Sequence, residues 1–106
     1  MYIYNVTINI QEDVHDAWVN WMRTEHIPDM LNTNKFTKAL MTRVMVEEEM
    51  GGMTYSIQYT LESREMLQRY YDEDAATLRE RSGTFAGKFV AFRTELQIVE
   101  EAFPKK

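Results

Sequence analysis

The 106-residue sequence contains no cysteine. That excludes disulfides, thiolate nucleophiles, cysteine-held iron–sulfur clusters and the usual structural zinc sites, and it fits a reducing, cytoplasmic setting. Positive charge is in deficit: 12 Lys and Arg stand against 17 Asp and Glu, for a net charge of −5. Such a surface repels nucleic acid unless a basic patch is segregated. The longest basic run is Lys105-Lys106, so nucleic acid is not an expected partner. Long hydrophobic runs are missing as well. No stretch approaches the ~20 apolar residues that cross a bilayer. The opening MYIYNVTINI has neither the basic segment nor the unbroken apolar run of a signal peptide. A membrane is therefore not an expected partner. No linker rich in Pro, Gly or Ser divides the chain, and 1–106 reads as one domain, large enough to bury a core without staples.

What is present is alternation. Residues 2–10 place Tyr2, Tyr4, Val6, Ile8 and Ile10 on one face and Ile3, Asn5, Thr7 and Asn9 on the other, which predicts a strand. Glu12 and Asp13 suit a helix N-terminus, and Val14, Ala17, Trp18, Trp21 and Met22 follow helical spacing. From 36 to 48 the chain is extended again, with Leu40, Thr42, Val44 and Val46 opposed to Ala39, Met41, Arg43 and Met45. Met50-Gly51-Gly52-Met53 predicts a turn, because glycine takes positive φ at no steric cost. Residues 53–61 alternate most cleanly, Met53, Tyr55, Ile57, Tyr59 and Leu61 against Thr54, Ser56, Gln58 and Thr60. Ser63 is placed to cap a second helix. Leu67, Tyr70, Tyr71, Ala75 and Leu78 form its apolar stripe, and Ser82-Gly83 marks its end. Residues 88–99 predict the last strand, with Val90, Phe92, Leu96 and Ile98 on one side and Phe89, Ala91, Arg93, Glu95, Gln97 and Val99 on the other.

The order βαββαβ predicts an α+β, ferredoxin-like fold, with two helices on one face of a four-stranded antiparallel sheet of order 4-1-3-2. The strongly apolar set of Tyr4, Val6, Ile8, Tyr55, Ile57, Tyr59, Phe92 and Leu96 is expected to face the helices. The other face then carries Ile3, Met41, Met45, Phe89, Ala91 and Val99 among Asn5, Thr7, Arg43, Ser56, Gln58, Arg93 and Glu95. Apolar patches of that kind mark interfaces, so a homodimer through the sheet face is expected. This organisation resembles the dimeric α+β barrel superfamily. Within it, W-x-x-W-M-x-x-x-H-I-P at 18–28, E-E-E-M-G-G-M-T-Y-S at 47–56 and K-F-V-A-F-R-T-E-L at 88–96 resemble a small bacterial family of unknown function. The resemblance implies a fold and a dimer and supplies no activity. Members of the superfamily hold ligands between sheet and helices or at the dimer seam, and include cofactor-independent monooxygenases, haem-degrading enzymes and small isomerases.

His26 is the foremost candidate for chemistry. It continues the Trp18–Met22 row at i+4 spacing, and Pro28 should kink or stop the helix beside it. There it is expected near free carbonyls and the negative end of the helix dipole, which favours the charged ring. It reads either as a general base at a cleft mouth or as a partner for those carbonyls. Asn5, Trp18, Trp21, Arg43, Tyr55 and Arg93 are the candidate ligand-binding residues. Arg43 and Arg93, both assigned to the face away from the helices, could flank an anion in a dimer; pairing with Glu95 or with acidic groups of the partner is the plainer reading. Tyr59, Tyr70 and Tyr71 join the aromatics expected between sheet and helices. His15 and His26 lie about 16 Å apart on a straight helix, too far to share an ion. Glu47-Glu48-Glu49 reads as a solvated run more than a cation site. No metal and no cofactor is expected: the second helix lacks a histidine for haem, and no nucleotide motif is present. Two functions remain open. One is a non-catalytic module binding a small apolar or aromatic molecule. The other is a cofactor-independent monooxygenase or isomerase using His26 as acid/base, with Asn5, Tyr55 or Trp21 positioning the substrate.

Overall fold

A computed structural model describes residues 1–47, 49 and 51–105 of the protein. Three sequence expectations therefore fall on residues outside the described ones: Glu48 in the second strand and the acidic run, Met50 in the turn, and Lys106 in the basic tail.

Strand β1 spans Tyr2–Ile10. A 3-10 turn at Glu12–Val14 leads into helix α1, His15–Trp21. A π-turn at Met22–His26 then carries the chain into α2, Ile27–Leu31. Strands β2 (Lys38–Arg43) and β3 (Met53–Leu61) follow. Helices α3 (Arg64–Glu73) and α4 (Ala75–Arg81) form the second helical arm, and β4 (Phe89–Gln97) closes the sheet. All strand pairs are antiparallel and the order is β2-β3-β1-β4, the expected topology. The chain therefore has an α+β, ferredoxin-like architecture. Its core is Tyr4, Val6, Ile8 and Ile10 of β1 with Ile57, Tyr59 and Leu61 of β3. Against them pack Trp18, Met22 and Met30 of the first arm and Leu67, Tyr70, Ala75 and Leu78 of the second.

The two central strands face as their alternation predicts, and the two edge strands do not. Phe92 stands opposite Thr7, and Leu96 opposite Ile3, across the β1–β4 ladder. Directly opposed residues share a face, so Phe92 and Leu96 lie on the side away from the helices; Phe92 is 67% exposed and Leu96 38%. Arg93 opposes Val6 and Phe89 opposes Ile10, which puts both on the helix side. In β2, Ala39, Met41 and Arg43 oppose Tyr59, Ile57 and Tyr55, so they too face the helices and Leu40 faces out. The cause is that both edge strands alternate apolar residues on both faces, so the pattern of either strand alone does not choose between them. Pairing to the central strands does.

The first helical arm neither stops nor breaks at Pro28. The Ile27 N–H donates to the Met22 carbonyl, an i to i−5 bond, and Pro28 follows as the second residue of α2, where its ring supplies no N–H to the preceding turn. The wider turn absorbs the proline. In the second arm Ser63 caps as expected, its Oγ accepting from the Met66 N–H at 3.2 Å. The arm bends at Asp74, whose carboxylate accepts from Lys35 Nζ at 2.7 Å. It ends in a 3-10 turn at Ser82–Phe85, and Gly87 beyond it takes positive φ. Among the described residues no helix is long and apolar enough to cross a membrane.

Candidate functional site

A cavity of about 50 Å³ opens between the sheet and the two helical arms. Its floor is Val6, Ile8 and Ile57 of the central strands. Its walls are Trp18, Trp21 and Met22 of the first arm, and Phe89 of β4. The polar groups that reach it are His26, Arg79, Ser82, Arg93 and the phenols of Tyr4, Tyr59 and Tyr70. A dry cavity of ~150 Å³ takes up benzene, so this one as it stands holds the tip of an organic molecule. A ring enters only if a wall residue moves, and Trp21 and Phe89 are the wall side chains that are only half-buried.

His26 lies five residues beyond Trp21, and the i to i+5 geometry of the π-turn lays the imidazole on the indole, with ring centroids 4.8 Å apart and planes 22° apart. Phe85 packs against the same indole at 5.5 Å. One edge of His26 remains accessible, yet its Nδ1 is buried and has no hydrogen-bond partner among the described residues. The carbonyl contact anticipated for this ring is therefore absent. Its charge state is also reversed from the expectation: burial pushes the pKa from 6.5 down to about 4. The Asp29 carboxylate opposes that shift, and the Arg93 and Arg81 guanidiniums reinforce it. Burial of the ring is the largest effect, so desolvation dominates. The ring is neutral at neutral pH.

Tyr59 and Tyr70 are held in their protonated form. Burial raises Tyr59 and Tyr70 well above the ordinary tyrosine range, with the neighbouring phenols adding to the effect. Tyr70 donates to Met30 Sδ at 3.4 Å, and Arg79 Nη2 donates to Tyr4 Oη at 3.3 Å. Arg81, by contrast, is bound to Asp29 at 2.9 Å. The guanidinium of Arg93 makes no hydrogen bond or ion pair among the described residues. Glu95, once its plainest partner, is engaged by Arg64 at 3.6 Å and by the Tyr71 hydroxyl at 2.9 Å.

The structure thus gathers His26, Trp18, Trp21 and Arg93 around one cavity and disperses the other candidates. Asn5 lies on the open sheet face, accepting from Ser56 Oγ at 2.7 Å and donating to Thr7 Oγ1 at 3.1 Å. The Tyr55 hydroxyl sits 2.7 Å from His15 Nε2, beyond the cavity. Arg43 borders a shallow groove with Glu12 and Gly51-Gly52. Arg43 and Arg93 occupy opposite edges of the sheet on its helix side, so stacking through the open face cannot bring them together. Arg79 was not singled out from the sequence. It continues the Tyr71–Ala75 row at i+4 spacing, and that spacing was the signal that could have found it. Among the described residues no group of three or more His, Cys, Asp or Glu is placed to hold a metal ion.

A family model described as a domain of unknown function (DUF4286) matches residues 1–99. No curated protein matches the sequence. Among solved structures, the chain is similar to a dimeric ferredoxin-like protein from an uncultured marine organism, with 15% identity and TM-score 0.70 over 98% of this chain and 100% of that one. It is similar to HapK from Hahella chejuensis at 9% identity and TM-score 0.71, with both chains fully covered. It is also similar to the ActVA-Orf6 monooxygenase of Streptomyces coelicolor, solved with nanaomycin D, at 14% identity and TM-score 0.66 over 98% of this chain and 92% of that one. Identities this low establish a shared fold.

Proposed function

The chain belongs to the DUF4286 family of unknown function, and from that premise we propose that it is a homodimeric, cytoplasmic protein that binds a small apolar or aromatic molecule in the cleft between sheet and helices. The observation that carries this reading is a mostly apolar cavity lined by His26, whose buried Nδ1 has no partner among the described residues. Leaving a buried polar atom unsatisfied costs about 1–3 kcal/mol, and a ligand's polar atom beside the ring would recover it. Specific pockets have this composition, apolar walls with a few converging polar groups. The dimer rests on Leu40, Val90, Phe92 and Leu96, all exposed on the open sheet face, and on fold relatives described as dimeric. Nuclear magnetic resonance with a fragment library tests the cleft. Flat apolar fragments should shift the Trp18, Trp21 and His26 ring signals; a library that moves none of them ends the reading.

A second reading is favoured by one feature, the neutral His26 at the cavity wall. A neutral imidazole can accept a proton, so a cofactor-independent oxygenase or isomerase would use His26 as base. Because Asn5 and Tyr55 lie elsewhere, Arg79 and Arg93 would have to hold the developing negative charge. Turnover that survives in His26→Gln would remove this reading.

A further inference from the structure

We infer that the ligand of this cleft is an apolar monocarboxylic acid, its carboxylate held by the Arg93 guanidinium, with His26 Nδ1–H as second donor once Trp21 gives way, while its hydrocarbon part enters the cavity. This rests on the cleft being a binding site and specifies what it would take.

The charges at the mouth carry the argument. The chain has five more acidic than basic residues, and three of its seven arginines have carboxylate partners among the described residues. Arg64 pairs with Glu95, Arg69 with Glu73, and Arg81 with Asp29. The two guanidiniums that line the cavity do not. Arg79 is bound to the Tyr4 hydroxyl, and Arg93 has no charged partner among the described residues. An unpaired guanidinium fork matches a planar carboxylate with two parallel hydrogen bonds, or shares it with a second donor. His26 supplies that donor in the tautomer with its proton on Nδ1. Asp29, the acidic group acting on His26, is already held by Arg81, so an arriving carboxylate meets little opposition.

The interior sets the rest of the molecule. Val6, Ile8, Met22 and Ile57 offer no hydrogen bonds there, and the phenols of Tyr4 and Tyr70 are engaged with Arg79 and Met30. A second charged group among these four side chains would be stranded in an apolar setting at high cost. One acidic group at the mouth and an apolar body behind it is the composition that fits.

Calorimetry and the His26 ring resonances would be followed while titrating butyrate and benzoate, each against its neutral amide, butyramide or benzamide. The acids should bind at least about tenfold tighter than their amides, as a charge-assisted pair implies. Arg93→Gln should erase that preference and Arg93→Lys keep part of it, while Arg69→Gln, in an exposed pair on the outer face of α3, should leave it intact. Amides that bind as well as acids, or acid binding unchanged in Arg93→Gln, overturn the monocarboxylate while leaving the cleft a binding site. If neither acids nor amides bind but other apolar fragments shift the cavity signals, the acid is again wrong. If nothing binds, both readings fall together.

Discussion

At the scale of a residue, His26 concentrates the tension in this molecule. It is stacked on Trp21, closed off at Nδ1 and flanked by two arginines and one aspartate. Its pKa in the folded protein, about 4, lies below the 6.5 of a free ring. The folded state therefore resists protonation more than the unfolded chain does. The associated stability is complete above pH 6.5 and is lost as pH falls from 6.5 to about 4. The difference is worth about 3 kcal/mol. Urea unfolding from pH 7.5 to 4.5 should show that decline, and His26→Gln, which cannot titrate, should flatten most of it. An equally steep decline in the variant would assign the loss to carboxylates instead. Lys35 shows the opposite tendency: the Asp74 carboxylate bonded to it raises its pKa and keeps it charged. Its stem is covered by the protein while its ammonium meets the half-exposed Glu73 and Asp74 at the surface. Nothing in the composition distinguishes this lysine from the others; only folding brings Asp74 across to it.

At the scale of an element, two junctions decide the shape of the site. The π-turn of Met22–His26 inserts the extra residue that sets the imidazole on the Trp21 indole. A proline two residues beyond was legible as a disturbance of the helix. Whether the chain would break or widen there was not, because that depends on what packs against it. The β2–β3 connection is the second junction. Gly51 and Gly52 both take positive φ, at 80° and 78°, but their surroundings differ. A Cβ on Gly52 would lie 2.5 Å from Asn9 Oδ1 and 2.8 Å from the Ile10 carbonyl oxygen. A Cβ on Gly51 would meet nothing within 4 Å. Gly51→Ala should therefore cost about 1 kcal/mol, the strain of the backbone conformation alone. Gly52→Ala should cost more, about 2–3 kcal/mol, since backbone of β1 must also give way. Equal thermal shifts for the two variants would contradict the difference in packing.

At the scale of the whole molecule, the sheet divides into a covered face and an open one. Leu40, Val90, Phe92 and Leu96 stand on the open face around the central Asn5, Thr7, Ser56 and Gln58. If two copies stack through it, light scattering at micromolar concentration should give the mass of a dimer, and Phe92→Asp should give that of a folded monomer. A monomer in the unmodified protein would leave those side chains without the role argued for them. The element order, the antiparallel hairpin, the Ser63 cap and the inward faces of β1 and β3 were determined by the sequence itself. Each depends on local spacing, and in the central strands one face is plainly more apolar than the other. The inward faces of β2 and β4 were decided only by tertiary structure. Both edge strands carry apolar residues on alternate sides, and their orientation follows from hydrogen-bonded register with β3 and β1. That single choice moves Arg93 from the open face to the mouth of the cavity. The charge of His26 was likewise beyond the chain's local pattern, because the desolvation that lowers its pKa comes from residues brought over it by folding.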